Sequence, residues 1–275
     1  MTLRGRIGVT LSFGDWRESL AAAPELEQLG YAAIWISGGR LDDLSRVAAT
    51  LRATRHVPVG TGIIPVDVFS SDSVATAYTE IEADHPGRFL VGLGGAHGPN
   101  PRQTLSDYLN RIEPAVPADR CLLAALGPRM LTLAGERTAG AFPLLATPEY
   151  TARARARLGP QPTLVVQHPV VVDTDAARAR AAGRWLLDQL AGVTGYRAHF
   201  HRMGFTEEDG TGSDRIVDAL VSWGDPGSIA VRVGQHLDAG ADQVAVTVLA
   251  TEADGRAPLR QWRRLAEVLI SPELR

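Results

Sequence analysis

Two glycine-bearing runs and one histidine carry most of the chemistry this chain can offer. Val57–Pro65 reads Val-Pro-Val-Gly-Thr-Gly-Ile-Ile-Pro, and His85–His97 reads His-Pro-Gly-Arg-Phe-Leu-Val-Gly-Leu-Gly-Gly-Ala-His, with a polar segment of helix length between them. Each apolar run ends in glycine, so the spacing predicts a strand–helix–strand unit whose strand ends present bare backbone. A flat ring or a phosphate can approach such backbone without meeting a Cβ. His97 stands just beyond the second glycine cluster, where an imidazole supplies a proton donor or acceptor near neutral pH.

The absences are as informative. All 28 Lys-or-Arg positions are arginine. Without lysine there is no Schiff-base amine and no Walker-type phosphate lysine, which excludes aldolase-like and pyridoxal-phosphate chemistry. Cys121 is single, and the seven histidines are scattered, so neither a disulfide nor metal-ligand spacing is expected. There is no Gly-x-Ser-x-Gly elbow and no pair of carboxylates at neighbouring strand ends. Strand ends rich in glycine and poor in acids and bases suit a protein whose cofactor performs the reaction.

The elements that must hold these residues follow from periodicity. Apolar, β-leaning runs predict strands at Ile7–Leu11, Ala32–Ile36, Val57–Ile63, Phe89–Leu93, Cys121–Ala125, Ala141–Leu145, Val170–Val172 and Gln243–Val248. Thr163–His168 competes for the seventh place, with Pro169 interrupting. Helical faces appear at Leu20, Ala23, Leu26 and Leu29, at Leu44, Val47, Ala48 and Leu51, at Val74, Ala77, Tyr78 and Ile81, and, after Pro258, at Leu259, Trp262, Leu265 and Leu269. Eight strands alternating with helices predict an α/β fold, a closed (β/α)8 TIM barrel, over one domain spanning 1–275. The stretch from Thr174 to Asp242 is too long for one helix. It reads as helices over Asp175–Leu190, Tyr196–Met203, Asp214–Trp223 and from Pro226 to about Ala239, a helical insertion before the last strand that is placed to cover the barrel mouth.

Net charge is −3, which gives no electrostatic case for nucleic acid or an anionic membrane. No run approaches the ~20 apolar residues of a membrane span, and the N-terminus lacks the apolar region of a signal peptide. A cytoplasmic protein is expected.

At this point the sequence resembles the luciferase-like flavin and deazaflavin oxidoreductases over nearly its whole length. Glu27–Trp35 is similar to that family's first helix and second strand, Gly60–Ile63 to its third strand, and Pro86–Gly94 to its fourth, the most specific of the motifs. Leu123–Met130 with Ala139–Ala141 resembles the fifth and sixth units, and Ala239–Val244 the eighth strand. The nearest flavour is the actinobacterial type that uses coenzyme F420. The resemblance implies a small-molecule oxidoreductase, hydride transfer at the cofactor ring, a homodimer, F420 as cofactor and FMN as the alternative. It implies that Gly62 and Ile63 form a third-strand bulge, often with a cis peptide bond, that backs the ring. Gly92, Gly94 and Gly95 would border the ring and phosphate tail, and Ala125, Leu126 and Gly127 would receive the phosphate through backbone N–H groups. His97 matches a histidine often found after the fourth-strand glycines. It is the catalytic candidate, and no metal is implied.

One departure stands out. Many F420 dehydrogenases of this family carry Asp-His or a similar polar pair after strand two, where this chain has Gly38-Gly39-Arg40. That favours a reductase or another oxidoreductase over a sugar-phosphate dehydrogenase. It also keeps open an FMN-dependent monooxygenase and a catalytically inactive barrel acting as a binding or partner subunit. Arg40, Arg102 and Arg129 are candidates to meet the acidic tail of F420. Plainer roles are expected elsewhere: Trp35 in the core, Arg88 in a structural ion pair, Arg153, Arg155 and Arg157 on a solvated helix face, His168 at a strand-end hydrogen bond, and His56, His85, His199, His201 and His236 solvated or capping.

Overall fold

The computed structural model describes residues 5–11, 16–38, 41, 43–193, 195–210, 212–251 and 257–270. Its strands are β1 (Ile7–Leu11), β2 (Ile34–Ser37), β3 (Val59–Gly62), β4 (Ile64–Pro65), β5 (Phe89–Gly94), β6 (Cys121–Leu123), β7 (Gly140–Ala141), β8 (Thr163–Val171), β9 (Ser222–Trp223) and β10 (Gln243–Val248). Its helices are α1 (Trp16–Gln28), α2 (Ser45–Ala53), α3 (Ser71–Asp84), α4 (Pro101–Ile112), α5 (Pro128–Arg137), α6 (Pro148–Leu158), α7 (Ala176–Ala191), α8 (Tyr196–Arg202), α9 (Asp214–Leu220), α10 (Pro226–Asp238) and α11 (Leu259–Leu269). The strand pairings are parallel, and β10 bonds to both β8 and β1. β1, β2, β3, β5, β6, β7, β8 and β10 therefore close into an eight-stranded (β/α)8 barrel.

Strands covered on both faces need apolar residues on both, which explains their unbroken apolar runs. One alternate set points inward: Ala33, Trp35, Leu90, Leu122, Phe142, Val165 and Ala245 fill the barrel. Trp35 and Phe142 meet with ring centroids 4.5 Å apart. The indole N–H of Trp35 donates to Gln243 Oε1 at 2.9 Å, and Gln243 Nε2 donates to the Gly5 carbonyl at 3.1 Å. The other set packs against the helices; Trp262, Leu265 and Leu269 of α11 are buried there, as their spacing predicts. Trp35 thus belongs to the core.

Three elements differ from the sequence reading. The seventh barrel strand is one continuous β8 through Pro169, not Val170–Val172 alone. The nitrogen of Pro169 faces the edge on which Gln167 N–H bonds the Pro143 carbonyl and the Val171 carbonyl accepts from Gly224 N–H. β7 has ended there and β9 has not begun, so the missing donor falls in a gap between partners. The helix read as Asp214–Trp223 stops at Leu220, and Ser222–Trp223 joins β8 as β9. After β3 the chain forms the short β4, which pairs with Leu93 and Gly94 of β5.

The insertion lies on the barrel's C-terminal side. Ala179, Leu186 and Leu187 of α7, Phe200 of α8 and Ile216, Val217 and Leu220 of α9 share a core with Leu145, Val171 and Leu249, which lie at or just past strand ends. Arg180 and Arg184 of α7 pair with Asp214, and Arg180 also with Asp218 at 2.7 Å, so this face is ion-paired to α9. Arg88 is a structural clamp, donating to the Val57, Leu51 and Thr54 carbonyls. Arg155 is no solvated residue either: it donates to the Gly240, Gly159 and Pro162 carbonyls and to Asp242.

The entry to β3 is set by Glu27. Its carboxylate accepts the backbone N–H groups of Arg55, His56 and Val57 at 2.8, 2.6 and 2.7 Å. Partial burial pushes its pKa up, but the three N–H bonds and nearby Arg88 outweigh this and hold it below the usual value. Because the folded value is lowered, this stabilisation is present above the unfolded pKa and lost as pH falls through the folded one. Glu27→Gln is expected to cost about 1–2 kcal/mol near neutral pH, and urea titrations should show the gap from wild type closing in acid.

Candidate active site

The end of β3 is built by backbone packing against backbone. The Gly62–Ile63 peptide bond is cis and leads directly into β4. A Cβ on Gly38 would lie 1.8 Å from the Ile63 carbonyl oxygen, and one on Gly92 would lie 2.0 Å from the Thr61 carbonyl oxygen. Thr61 Oγ1 closes the contact by accepting Gly92 N–H at 2.9 Å and donating to the Gly92 carbonyl at 3.1 Å. Gly94 abuts Ile63 Cγ1, 3.0 Å from where its Cβ would stand, and Ala124 Cβ, at 2.8 Å. Gly95 has φ +78° and turns the chain beside Pro65. His97 Cε1 lies 3.7 Å from the Cβ position of Gly95. The structure therefore brings Gly62, Ile63, Gly92, Gly94, Gly95 and His97 to one rim. Gly92 and Gly94 are buried beneath it; Gly62, Ile63 and Gly95 are half-buried and His97 is exposed.

The neighbouring rim position is the turn after β6. Ala125 is buried, and Tyr150 Oη donates to the Ala125 and Leu126 carbonyls at 3.1 and 3.0 Å. Leu126 and Gly127 remain half-buried. Gly127 caps α5 without a side-chain cap, so N–H groups at this helix start are offered to a ligand or solvent. Arg202, from α8, donates to the Leu126 carbonyl at 3.2 Å, and its Nη2 lies 3.6 Å from the Gly127 Cβ position. Arg153 donates to the Arg202 carbonyl at 3.3 Å. A helix N-terminus beside a guanidinium has the donor set of an anion site.

Polar groups also line the upper barrel interior. Gln167 Nε2 donates to Thr247 Oγ1 at 3.0 Å, and Gln167 Oε1 lies 3.6 Å from the Gly62 Cβ position. Thr10 is wholly buried beside Trp35 in register, and its hydroxyl has no protein partner. Gly39 and Arg40, singled out after strand two, lie outside the described residues. Arg102 and Arg129 are exposed in the first turns of α4 and α5.

Two histidines expected to be solvated or capping are fully buried instead. His199 Nε2 donates to the Leu145 carbonyl at 2.9 Å, and His236 Nδ1 bonds Thr151 Oγ1 at 2.9 Å. Both sit on the inward faces of insertion and barrel helices, where a planar ring fills space beside aromatic neighbours: Tyr150 for His199, and His168 for His236. His168, expected at a strand end, instead lies inside β8, with Nε2 2.7 Å from Ser222 Oγ. Burial drives His199 and His236 down to about 4, reinforced by Arg202 and Arg232 respectively. Burial likewise holds His168 well below its usual value. A lowered histidine pKa means the unfolded chain takes up protons first. Stability is then full above about 6.5 and falls as pH drops toward about 4, by roughly 1 kcal/mol per pH unit for each histidine. Urea midpoints measured near neutrality and in mild acid should show this loss, and it should be smaller in a His199→Asn/His236→Asn double variant.

The sequence reading missed Asp67, Tyr150 and Arg202. Asp67 follows β4 by two residues, at a strand's C-terminal end, and that position was its available signal. Arg202 reaches the turn across 76 residues of chain, and no local pattern announces such a contact.

The parallel barrel thus carries a cis bulge, a glycine-built rim and an adjoining turn met by Arg202. The profile of the luciferase-like monooxygenase family matches residues 2–113 and 102–243, and the chain belongs to that family. Among solved structures, it is similar to the coenzyme F420-dependent tetrahydromethanopterin reductase from Methanopyrus kandleri, with 15% identity, TM-score 0.77 and coverage of 98% of this chain and 99% of that one. It is also similar to an F420-dependent secondary alcohol dehydrogenase in complex with an F420-acetone adduct, with 14% identity, TM-score 0.75 and coverage of 99% and 100%. A third similar structure is the oxygenating constituent of 3,6-diketocamphane monooxygenase from Pseudomonas putida in complex with FMN, with 14% identity, TM-score 0.69 and coverage of 98% and 97%. At these identities the likeness shows the fold. No curated protein sequence matches the chain. Among the described residues, no helix is long and apolar enough to cross a membrane.

Proposed function

We propose that this protein is a coenzyme F420-dependent oxidoreductase acting on a small organic substrate. The observation that carries the reading is the placement of the Leu126–Gly127 turn, with Arg202 against it, near the Gly62–Ile63 bulge. A cofactor with a flat ring and a phosphate-bearing tail fits that pairing: the bulge backs the ring and the turn takes the phosphate. The Gln167 amide, close to Gly62, and the unpartnered Thr10 hydroxyl add polar groups to the barrel interior.

When bound, the cofactor supplies the two-electron chemistry. Ile63 and Gly95 would border the ring. Gly92 and Gly94, being buried, would act by letting the bulge seat closely. The Gly127 turn, the start of α5 and Arg202 would hold the phosphate, with Ala125 anchoring the turn through Tyr150. His97 Nε2 would hold or release a proton near the ring. The insertion helices would exclude water on the side where they cover strand ends.

FMN offers the same ring and phosphate, and the diketocamphane monooxygenase constituent holds it on this fold. The acidic tail of F420 separates the two, and Arg129, exposed in the first turn of α5, together with Arg202 and Arg153 supports the deazaflavin. Fluorescence titration should give micromolar or tighter F420 binding with negligible FMN binding, and Arg202→Ala should weaken F420 by about tenfold. Tight FMN binding without F420 would move the protein to the flavin monooxygenases. Binding of neither would favour the partner-subunit reading.

A further inference from the structure

We propose that Asp67 is a positioning residue that fixes His97 as an acid–base dyad at the barrel mouth. The proposal rests on the reading of this rim as the reaction site. Asp67 Oδ2 accepts two hydrogen bonds from the same residue: the backbone N–H of His97 at 2.9 Å and ring Nδ1 at 2.7 Å. The first fixes where the loop runs and the second fixes how the ring is turned. With Nδ1 carrying the hydrogen toward the carboxylate, Nε2 is left with its lone pair, which is the tautomer a general base requires.

Both partners are attached to the bulge. Asp67 follows Pro65 of β4, and the turn that carries it is closed by Val68 and Phe69 N–H bonds to the Pro65 carbonyl, each 3.0 Å. Val66 N–H donates to the Gly94 carbonyl at 2.8 Å, tying that turn to the strand that leads to His97. Backbone hydrogen bonds therefore tie the turn carrying Asp67 to β4 and to Gly94. Its side chains are 46% and 39% exposed, and ion pairs so exposed add little to stability. A structural purpose explains the pair poorly, whereas orientation of an accessible Nε2 explains it directly.

The substrate class this implies has a reacting carbon that bears a hydroxyl and a hydrogen when reduced and is a carbonyl carbon when oxidised. In oxidation one proton leaves the substrate oxygen for Nε2 while the C–H hydrogen leaves with its electron pair for the bound deazaflavin. The substrate thus loses two electrons and two hydrogens, all accounted for, and reduction reverses both transfers.

The first test needs no cofactor. Long-range proton–nitrogen correlation spectra of the cofactor-free protein in mildly alkaline buffer, assigned with a His97→Asn variant, should show His97 protonated at Nδ1. Asp67→Ala should shift it to the Nε2-protonated form, and Asp67→Asn, which keeps an acceptor oxygen, should restore Nδ1 protonation. An unchanged tautomer in Asp67→Ala overturns the proposal. In the F420-loaded enzyme, Asp67→Ala should lower kcat on an alcohol or ketone substrate by about 100-fold with KM within about threefold. A shifted tautomer with unchanged kcat overturns the catalytic role while leaving the functional reading intact. Failure of the wild-type protein to bind any ring cofactor overturns the functional reading and the dyad's role together, and the binding titration identifies that case.

Discussion

The mouth of this barrel depends on one constraint: the backbones of three strand ends touch with no side chain between them. Gly38 faces the Ile63 carbonyl, and Gly92 faces the Thr61 carbonyl, at separations that any Cβ would close to 2.0 Å or less. Given that contact, β3 turns into β4 at a fixed height above β5. Ile63 then projects at the rim beside Gly94, and the turn carrying Asp67 meets the loop carrying His97. Below it, Gly60 leaves room for Trp35, whose ring and hydrogen bond to Gln243 close the barrel interior.

A second set of contacts ties the insertion to the neighbouring part of the mouth, past β6 and β7. His199 of α8 donates to the carbonyl of Leu145, which holds φ +57° past β7. Arg202 of the same helix reaches the turn before α5. Tyr150 of α6 bonds that turn and meets the His199 ring edge-on, with centroids 4.6 Å apart. One short helix thus braces two strand ends with a neutral imidazole and a guanidinium. The neutral form is favoured by burial, so the brace is strongest above the range where unfolded histidine titrates.

The barrel was legible where sequence carried period and punctuation together. β1 and β10 match their predicted limits because each is a mostly apolar, β-leaning run entered from a charged residue, Arg6 or Asp242. β8 was misread because proline normally ends a ladder, and its tolerance here depends on which edge its nitrogen faces. β9 was absorbed into a helix because two residues carry no alternation of their own. At the site, glycines and His97 were visible as types at strand ends. Asp67 was not, since its bond to His97 crosses 30 residues, and neither were the buried histidines, because a single imidazole has no periodic signature. Arg155 shows the same limit from the other side: three alternating arginines look solvated until the Gly240, Gly159 and Pro162 carbonyls converge on one of them.

A crystal structure of the protein with F420 would show whether bulge and turn act as one cofactor cradle. The ring is expected against Ile63 and Gly95, with the phosphate within hydrogen-bond reach of the Gly127 turn and Arg202. A ring seated away from Ile63, or a phosphate held elsewhere on the rim, would contradict it.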